Sequence, residues 1–411
     1  MTGTVLSQTI SFAMYPILTR IYTPQDFALF GLYTALVGIL ATIATLRYEL
    51  AVPIPQKVDE ANMVITVAIL CSAFISILSF VFLMIFKSEL STLLNNTAIE
   101  NWLIVIPIAV FLIGTYHSFN YRLIRLKAFK ASAINKVSQK LAEAPTSMSL
   151  GLTSFSQGLI VADLIGRFVI AFISAMQSTM RGFALSISNL RNIRMIAAKY
   201  SHLALYNCLP ALADATALYL PILFISSFYN EETTGHFNAA RLLLSIPIMF
   251  VSLNLSQVLL PRILDRVEAR VLVFPDIASA LRYLLIAAVA FIIILVLISP
   301  QLFALALGST WKTSGHYASI MVTAFGLRFV ATSLSTTFVA LQSIRWLSHW
   351  QIFFLVSIAS MAFLRPLHLQ IETFLLIITT IESICYGIYI LLILSVAHLH
   401  DKRNKRSECY T

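Results

Sequence analysis

Charge is scarce in this chain. Only 11% of its 411 residues are Asp, Glu, Lys or Arg, against about 25% in an average soluble domain, and 59% are hydrophobic. So little charge cannot cover a water-soluble surface, and the composition reads as an integral membrane protein. Cysteine is rare too. Cys71, Cys208 and Cys385 fall in apolar runs and Cys409 in a basic tail, a distribution with neither a disulfide framework nor a metal spacing. No GxxxxGKS/T sequence occurs, which excludes ATP hydrolysis through a P-loop. The eight histidines contain no HExxH and pair only as His398 and His400, and no nucleophile–base motif stands out. No cofactor is expected. Polar stretches are short, none above roughly 25 residues, so no soluble catalytic or nucleotide-binding domain fits between the apolar runs. The opening MTGTVLSQTISFAMYPILTR lacks a positive n-region and a small-residue cleavage site. It reads as a retained first span, not a signal peptide.

What is abundant is apolar sequence. A helix needs roughly 20 residues to cross a hydrocarbon core about 30 Å thick. Twelve runs qualify as candidate spans, from 1–18 to 373–397. The fifth, 137–154, is crowded at its start by Lys140, Glu143 and Pro145, and the eleventh, 350–364, is short. With the amino terminus inside, the inner loops hold 21 lysines and arginines, including six from Arg122 to Lys140 and four from Lys402 to Arg406. The outer loops hold four: Arg20, Lys87, Lys312 and Arg365. This bias places both termini in the cytoplasm. It also explains the formal net charge of +10 as a topology signal without a nucleic-acid partner. The inner stretches YRLIRLKAFKASAINK and LRNIRMIAAKY mix basic and apolar residues. They read either as segments lying on the anionic inner leaflet or as ordinary basic loops.

The stretch Tyr200–Pro261 organises the chain. It contains two long apolar runs, about 203–228 and 237–260, interrupted by Asp214, Arg241, Pro210, Pro221 and Pro247. The first sixty residues repeat the pattern. Pro16 in YPILTRIY aligns with Pro221 in LPILFISSFY, FGLYTAL with FNAARLL, and Pro53 with Pro261. Two similar halves follow, 1–200 and 201–411, the second with a basic cytoplasmic tail. Many transporters are built from such repeats.

Ionisable residues at membrane depth usually face a bundle interior or a wet cavity. Arg20, at the outer end of the first span, reads as a ligand for an anionic headgroup or as an interface arginine. Arg241 reads as a second anion ligand or as half of an ion pair. Arg47 and Glu49 in LRYELAVP read as an inner gate or as a local loop salt bridge. Asp163 and Arg167 have the i, i+4 spacing of an intrahelical pair. Asp214 and Glu382 are lone membrane acids suited to a coupling proton or cation. Arg328, among FGLRFVATSLSTTF, suits helix packing.

Three blocks carry a resemblance: PILTRIYTPQDFALFGLYTALVGILATIATLRYELAVPIP followed by DEA; KYSHLALYNCLPALADATALYLPILF with TGHFNAARLLLSIPIMFVSLNLSQVLLP; and LFALALGSTWKTSGHYASIM, in which Gly308, Trp311, Gly315 and Tyr317 match. Together they resemble bacterial polysaccharide-unit flippases of the Wzx, or O-antigen, type, in the multidrug/oligosaccharidyl-lipid/polysaccharide exporter superfamily. The resemblance implies an all-α integral membrane fold of about 12 transmembrane helices, in two six-helix bundles around a central cavity. It implies alternating-access transport of undecaprenyl-pyrophosphate-linked oligosaccharide units from the inner to the outer leaflet of the bacterial inner membrane, for O-antigen or capsule. Arg20, Arg47 and Arg241 would then bind substrate in the cavity, and Asp214, Glu49 and Glu382 would serve coupling or gating. The implied partners are the lipid-linked oligosaccharide, membrane lipids, a coupling proton or sodium ion, a polysaccharide polymerase and a chain-length regulator. Two alternatives stay open: a cation-coupled multidrug exporter of the same superfamily, and a multispan polymerase or glycosyltransferase.

Overall fold

A computed structural model describes residues 2–185 and 190–408, and every regular element among them is helical. The chain divides into two compact units, Met1–Asn238 and Ala239–Thr411.

The first unit holds α1 (Thr2–Ile21), α2 (Pro24–Thr42), α3 (Val58–Ile85), α4 (Lys87–Leu93), α5 (Ile106–Arg125), α6 (Phe129–Leu152), α7 (Gly158–Thr179) and α8 (Leu190–Phe228), with the first turns of α9 (Glu231–Glu268). The rest of α9 belongs to the second unit, with α10 (Phe274–Leu307), α11 (Lys312–Leu334), α12 (Thr336–Ala340), α13 (Ile344–Ala359) and α14 (Ile371–Glu408). Setting aside the short α4 and α12, twelve long helices correspond in order to the twelve runs read from the sequence. Nine candidate spans among the described residues are long and apolar enough to cross a membrane, and the chain is a multispan membrane protein.

The helices that fall short are α1, α5 and α6. Their polar residues turn inward: Ser118, Arg122, Asn135 and Ser147 are all buried inside the first unit. Windowed hydropathy cannot separate a polar face turned inward from one turned to water. The lipid-facing helices do the reverse. Phe74, Ile77, Leu78, Phe82 and Ile85 of α3 are exposed, as are Ile286, Val289, Ile293 and Leu297 of α10, at the 3–4-residue spacing of one helix face.

Several expectations need correction. The prolines do not break the long runs: α8 continues through Pro210 and Pro221, and α9 runs unbroken past residue 247. Such prolines are tolerated in a membrane because neighbouring groups satisfy the freed carbonyls. The fifth span starts at Phe129, so Lys130 and Lys136 lie within α6 and not in a loop. The stretch from Tyr121 to Lys136 is therefore the end of one helix and the start of the next, and LRNIRMIAAKY is the beginning of α8. Neither is a separate surface segment. Where the repeat places a divide near residue 200, the chain runs straight through it. Within the first unit α8 packs along α2 and α3.

Candidate functional site

The groups that look able to handle a charged ligand are built on helix ends and helix interiors, and each unit has its own set. In the first unit, α2 starts with a capping box. The Thr23 hydroxyl accepts from the Asp26 backbone N–H at 3.3 Å, and the Asp26 carboxylate accepts from the Thr23 backbone N–H at 2.8 Å, with Pro24 in the first turn. The first turns of α9 rest on this start. The Asn238 amide donates to the Phe27 carbonyl at 2.8 Å. A Cβ at Gly235 would sit 1.7 Å from the Pro24 carbonyl oxygen, so only glycine fits there. The TPQDF and TGHFNAA segments, more than two hundred residues apart, thus meet in space.

At the other end of α2 the helix unwinds into a 3-10 turn, Tyr48–Ala51. Leu46 and Arg47 take left-handed backbone angles (φ 47° and 65°), which non-glycine residues adopt at a cost. The departure from helix lets residues two apart meet: Arg47 approaches Glu49 at 3.5 Å, and the Thr45 hydroxyl donates to the same buried carboxylate. The local salt bridge foreseen for this pair is present. From α5, His117 lies within electrostatic reach of Glu49, Arg47, Arg167 and Lys136. From α8, Cys208 senses Arg47 and Glu49.

Farther along the same interior, Arg167 donates through Nε to Asp163 at 2.5 Å, as the i, i+4 spacing predicts, and the buried Tyr33 hydroxyl donates to the same oxygen at 2.9 Å. Glu143, paired with Lys140 at 2.6 Å, also reaches Arg167 electrostatically. A row of charged and polar groups therefore runs through this unit from α2 across α5 and α6 to α7.

Arg20 and Asp214 stand differently. Arg20, in the last turn of α1, is exposed, and Asp214 of α8 is half-buried between the buried Ala213 and Ala215. Tyr22, in the link after α1, buries its phenol and donates to the Ser147 carbonyl at 2.7 Å; burial, with a smaller effect from Asp26, pushes its pKa up to about 12.

In the second unit the interior brings together Arg241 of α9, Arg328 of α11 and Glu382 of α14, with both guanidiniums within electrostatic reach of the one carboxylate. Arg328 also lies over the Phe325 ring at 5.9 Å. The ring contact fits the packing role expected of Arg328, and its guanidinium is also within electrostatic reach of Glu382.

Sequence reasoning missed four residues outright. Arg122, counted as an inner-loop cation, is 1% exposed; its guanidinium donates to Asn62 Oδ1 and to the Arg181 carbonyl, each at 2.8 Å, and lies over Phe183 at 5.5 Å. Its neighbour Arg125 donates to the carbonyls of Val52, Pro53, Pro55 and Gln56. Arg125 thus pins the segment that follows Arg47 and Glu49, and Arg122 ties α3 to the turn after α7. His117 and Lys136 were also missed. The available signal was the polarity of α5 and α6 themselves.

The third block is scaffold. Gly308 ends α10 at φ 113°, Trp311 and Tyr317 are buried, and the Gly315 carbonyl accepts from the Ser299 hydroxyl at 2.8 Å. Cys71, Cys208 and Cys385 are free thiols, and Cys409 lies outside the described residues. Among the described residues no three His, Cys, Asp or Glu side chains gather as a metal site.

Comparison with known proteins adds the following. Residues 17–316 match the family described as polysaccharide biosynthesis protein. No match emerges among curated protein sequences. The fold is similar to that of a multidrug resistance MATE family transporter of the MOP superfamily, at a TM-score of 0.73 and 15% identity over 97% of this chain and 96% of that one. It is similar to lipid II flippase MurJ at a TM-score of 0.73 and 12% identity, over 95% and 86%. A MOP superfamily transporter from Pyrococcus furiosus, described as having a binding pocket of reverse polarity, gives a TM-score of 0.59 at 14% identity, over 98% and 93%.

Proposed function

This chain belongs to the polysaccharide biosynthesis protein family, and from that premise we propose that it is a flippase for lipid-linked oligosaccharides. The cargo is a short sugar unit on undecaprenyl pyrophosphate, carried from the cytoplasmic to the periplasmic leaflet of a bacterial inner membrane for O-antigen or capsule. No catalytic role is assigned to it. What supports the reading, beyond family, is that Arg241 and Arg328 of the second unit both lie within electrostatic reach of Glu382. Guanidiniums bind phosphate oxygens through charge-assisted, bidentate hydrogen bonds. A cationic drug would call for the opposite balance, which speaks against the multidrug alternative. The fold shared with lipid II flippase MurJ supports a lipid-borne cargo.

In this reading Arg20 in the first unit and Arg241 in the second are each an anion ligand for the cargo, and Arg47 with Glu49 forms a gate at the inner end of α2. Asp214 and Glu382 are the acids available for a coupling proton or sodium ion. Both termini face the cytoplasm, and a polymerase and a chain-length regulator receive the flipped unit. Complementation tests the cargo. A flippase-null strain making a defined repeat unit should regain surface polysaccharide when this chain is expressed. If glycan stays unassembled across a panel of repeat units while the strain gains drug resistance, the cargo assignment fails. Asp214→Asn, nearly the same shape, should slow transport and flatten its pH profile; an unchanged rate and profile would remove Asp214 from coupling.

A further inference from the structure

The second unit has another cationic feature far along α9 from Arg241. Arg262 follows it by 21 positions on one helix, roughly 30 Å at about 1.5 Å per residue. The end of α9 and the start of α10 border a cavity of about 140 Å3, lined by Leu259, Arg262, Ile263, Ser279, Tyr283 and Leu334 among others. A cavity of this size holds a phosphate and a few carbons.

One acid organises the polar rim. Asp276 meets Arg262 at 3.0 Å and Arg266 at 2.9 Å. Two guanidiniums on one carboxylate leave a positive charge over, and the Arg262 side chain is 62% exposed. The start of α10 is already satisfied, because Asp401 of α14 accepts from the backbone N–H groups of Val273 and Phe274, both at 2.9 Å. The helix end itself is therefore closed to an anion. That bond also brings the exposed Lys402 and Arg403 to the same end of the unit as the exposed Arg270 and Arg282. Asp265 and Glu268 only partly offset these cations. The remaining walls are apolar, and Tyr283, 71% exposed, puts an aromatic ring with a polar tip at the rim, as at a membrane interface.

We infer that this cavity binds an anionic phospholipid of the inner leaflet, its phosphate against Arg262 and the Ser279 hydroxyl and its first carbons against Leu259, Ile263 and Leu334. Basic pockets between helices on the cytoplasmic side suit such headgroups. The inference rests on the proposed orientation, which puts these helix ends inside, and not on the proposed cargo.

The test uses the purified full chain in detergent, titrated with phosphatidylglycerol or phosphatidylcholine, reading the melting midpoint and the lipid retained in native mass spectra. Phosphatidylglycerol should raise the midpoint by several degrees more than phosphatidylcholine and be retained at least fivefold more. Arg262→Gln, and separately the cavity-filling Ala280→Phe, should each lose at least half of that excess rise, with the phosphatidylcholine response unchanged. Equal responses to the two lipids in the wild type overturn the inference, as does a full phosphatidylglycerol response in both variants. Inorganic pyrophosphate reproducing the whole rise would assign the site to a soluble anion and overturn the lipid. Should a variant fail to fold, the wild-type retention ratio decides alone. Transport is not read in this assay, so the cargo and the lipid site can fail independently.

Discussion

Asp163 holds two helices through one oxygen atom: Arg167 on its own helix and Tyr33 on α2 both donate to it. Removing one partner of a buried ion pair leaves an uncompensated charge and costs about 3–5 kcal/mol, whereas replacing both by apolar groups is often neutral. Asp163→Asn is therefore expected to lower the melting midpoint and membrane yield sharply, and Asp163→Leu with Arg167→Met to recover them. Normal yield and midpoint in Asp163→Asn, with transport lost, would make the pair functional instead of structural. Arg241 is expected to behave in the opposite way. Arg241→Ala should keep normal abundance and lose at least roughly tenfold in transport, ~1.4 kcal/mol, while Arg241→Lys, which keeps charge without the fork, retains part. If the alanine variant is degraded and removal of Glu382 restores it, Arg241 is a structural partner and not a ligand. The pair on α7 was legible because its spacing is fixed by one helix. Arg122 and His117 were not, because Asn62, Arg181, Glu49 and Lys136 reach them from other elements and turns, and no local pattern encodes that meeting.

At the scale of elements, the sequence announced most helices by their apolar runs, but it did not announce the capping box that starts α2 at Pro24. It misplaced the start of α6, because Lys130 and Lys136 look like loop residues; Lys130 stays exposed in the first turn and Lys136 is half-buried. It also over-read proline, since α8 passes through Pro210 and Pro221 without a break. The topology itself can be checked from residues the structure leaves exposed. In a cysteine-free background, single cysteines at Asn95 and Lys312 should label from outside, and one at Lys127 only after permeabilisation. Labelling of Lys127→Cys in intact cells would reverse the proposed orientation. Gly235 tests the contact between α9 and α2. Its alanine variant places a methyl against the Pro24 carbonyl, an overpacking expected to cost about 1–3 kcal/mol and visible as a lower melting midpoint. A midpoint equal to the wild type would mean that the first turn of α9 is free to shift.

At the scale of the molecule, the repeated prolines led to an expected divide at residue 200, which falls inside α8. The first unit runs to Asn238 and includes the opening turns of a helix whose remainder lies in the second. That shared helix sets a schedule for biogenesis. The amino-terminal unit cannot complete its contacts at Phe27 and Pro24 until residues 235–238 have been synthesised and released into the bilayer. A nascent chain stopped at residue 200 lacks both these turns and most of α8, and quality-control proteases should clear it quickly. One stopped at residue 250 should persist in the membrane as a compact, protease-resistant intermediate. Pulse–chase half-lives of the two fragments check this, and equal half-lives would show that the first half matures without waiting for the second to begin.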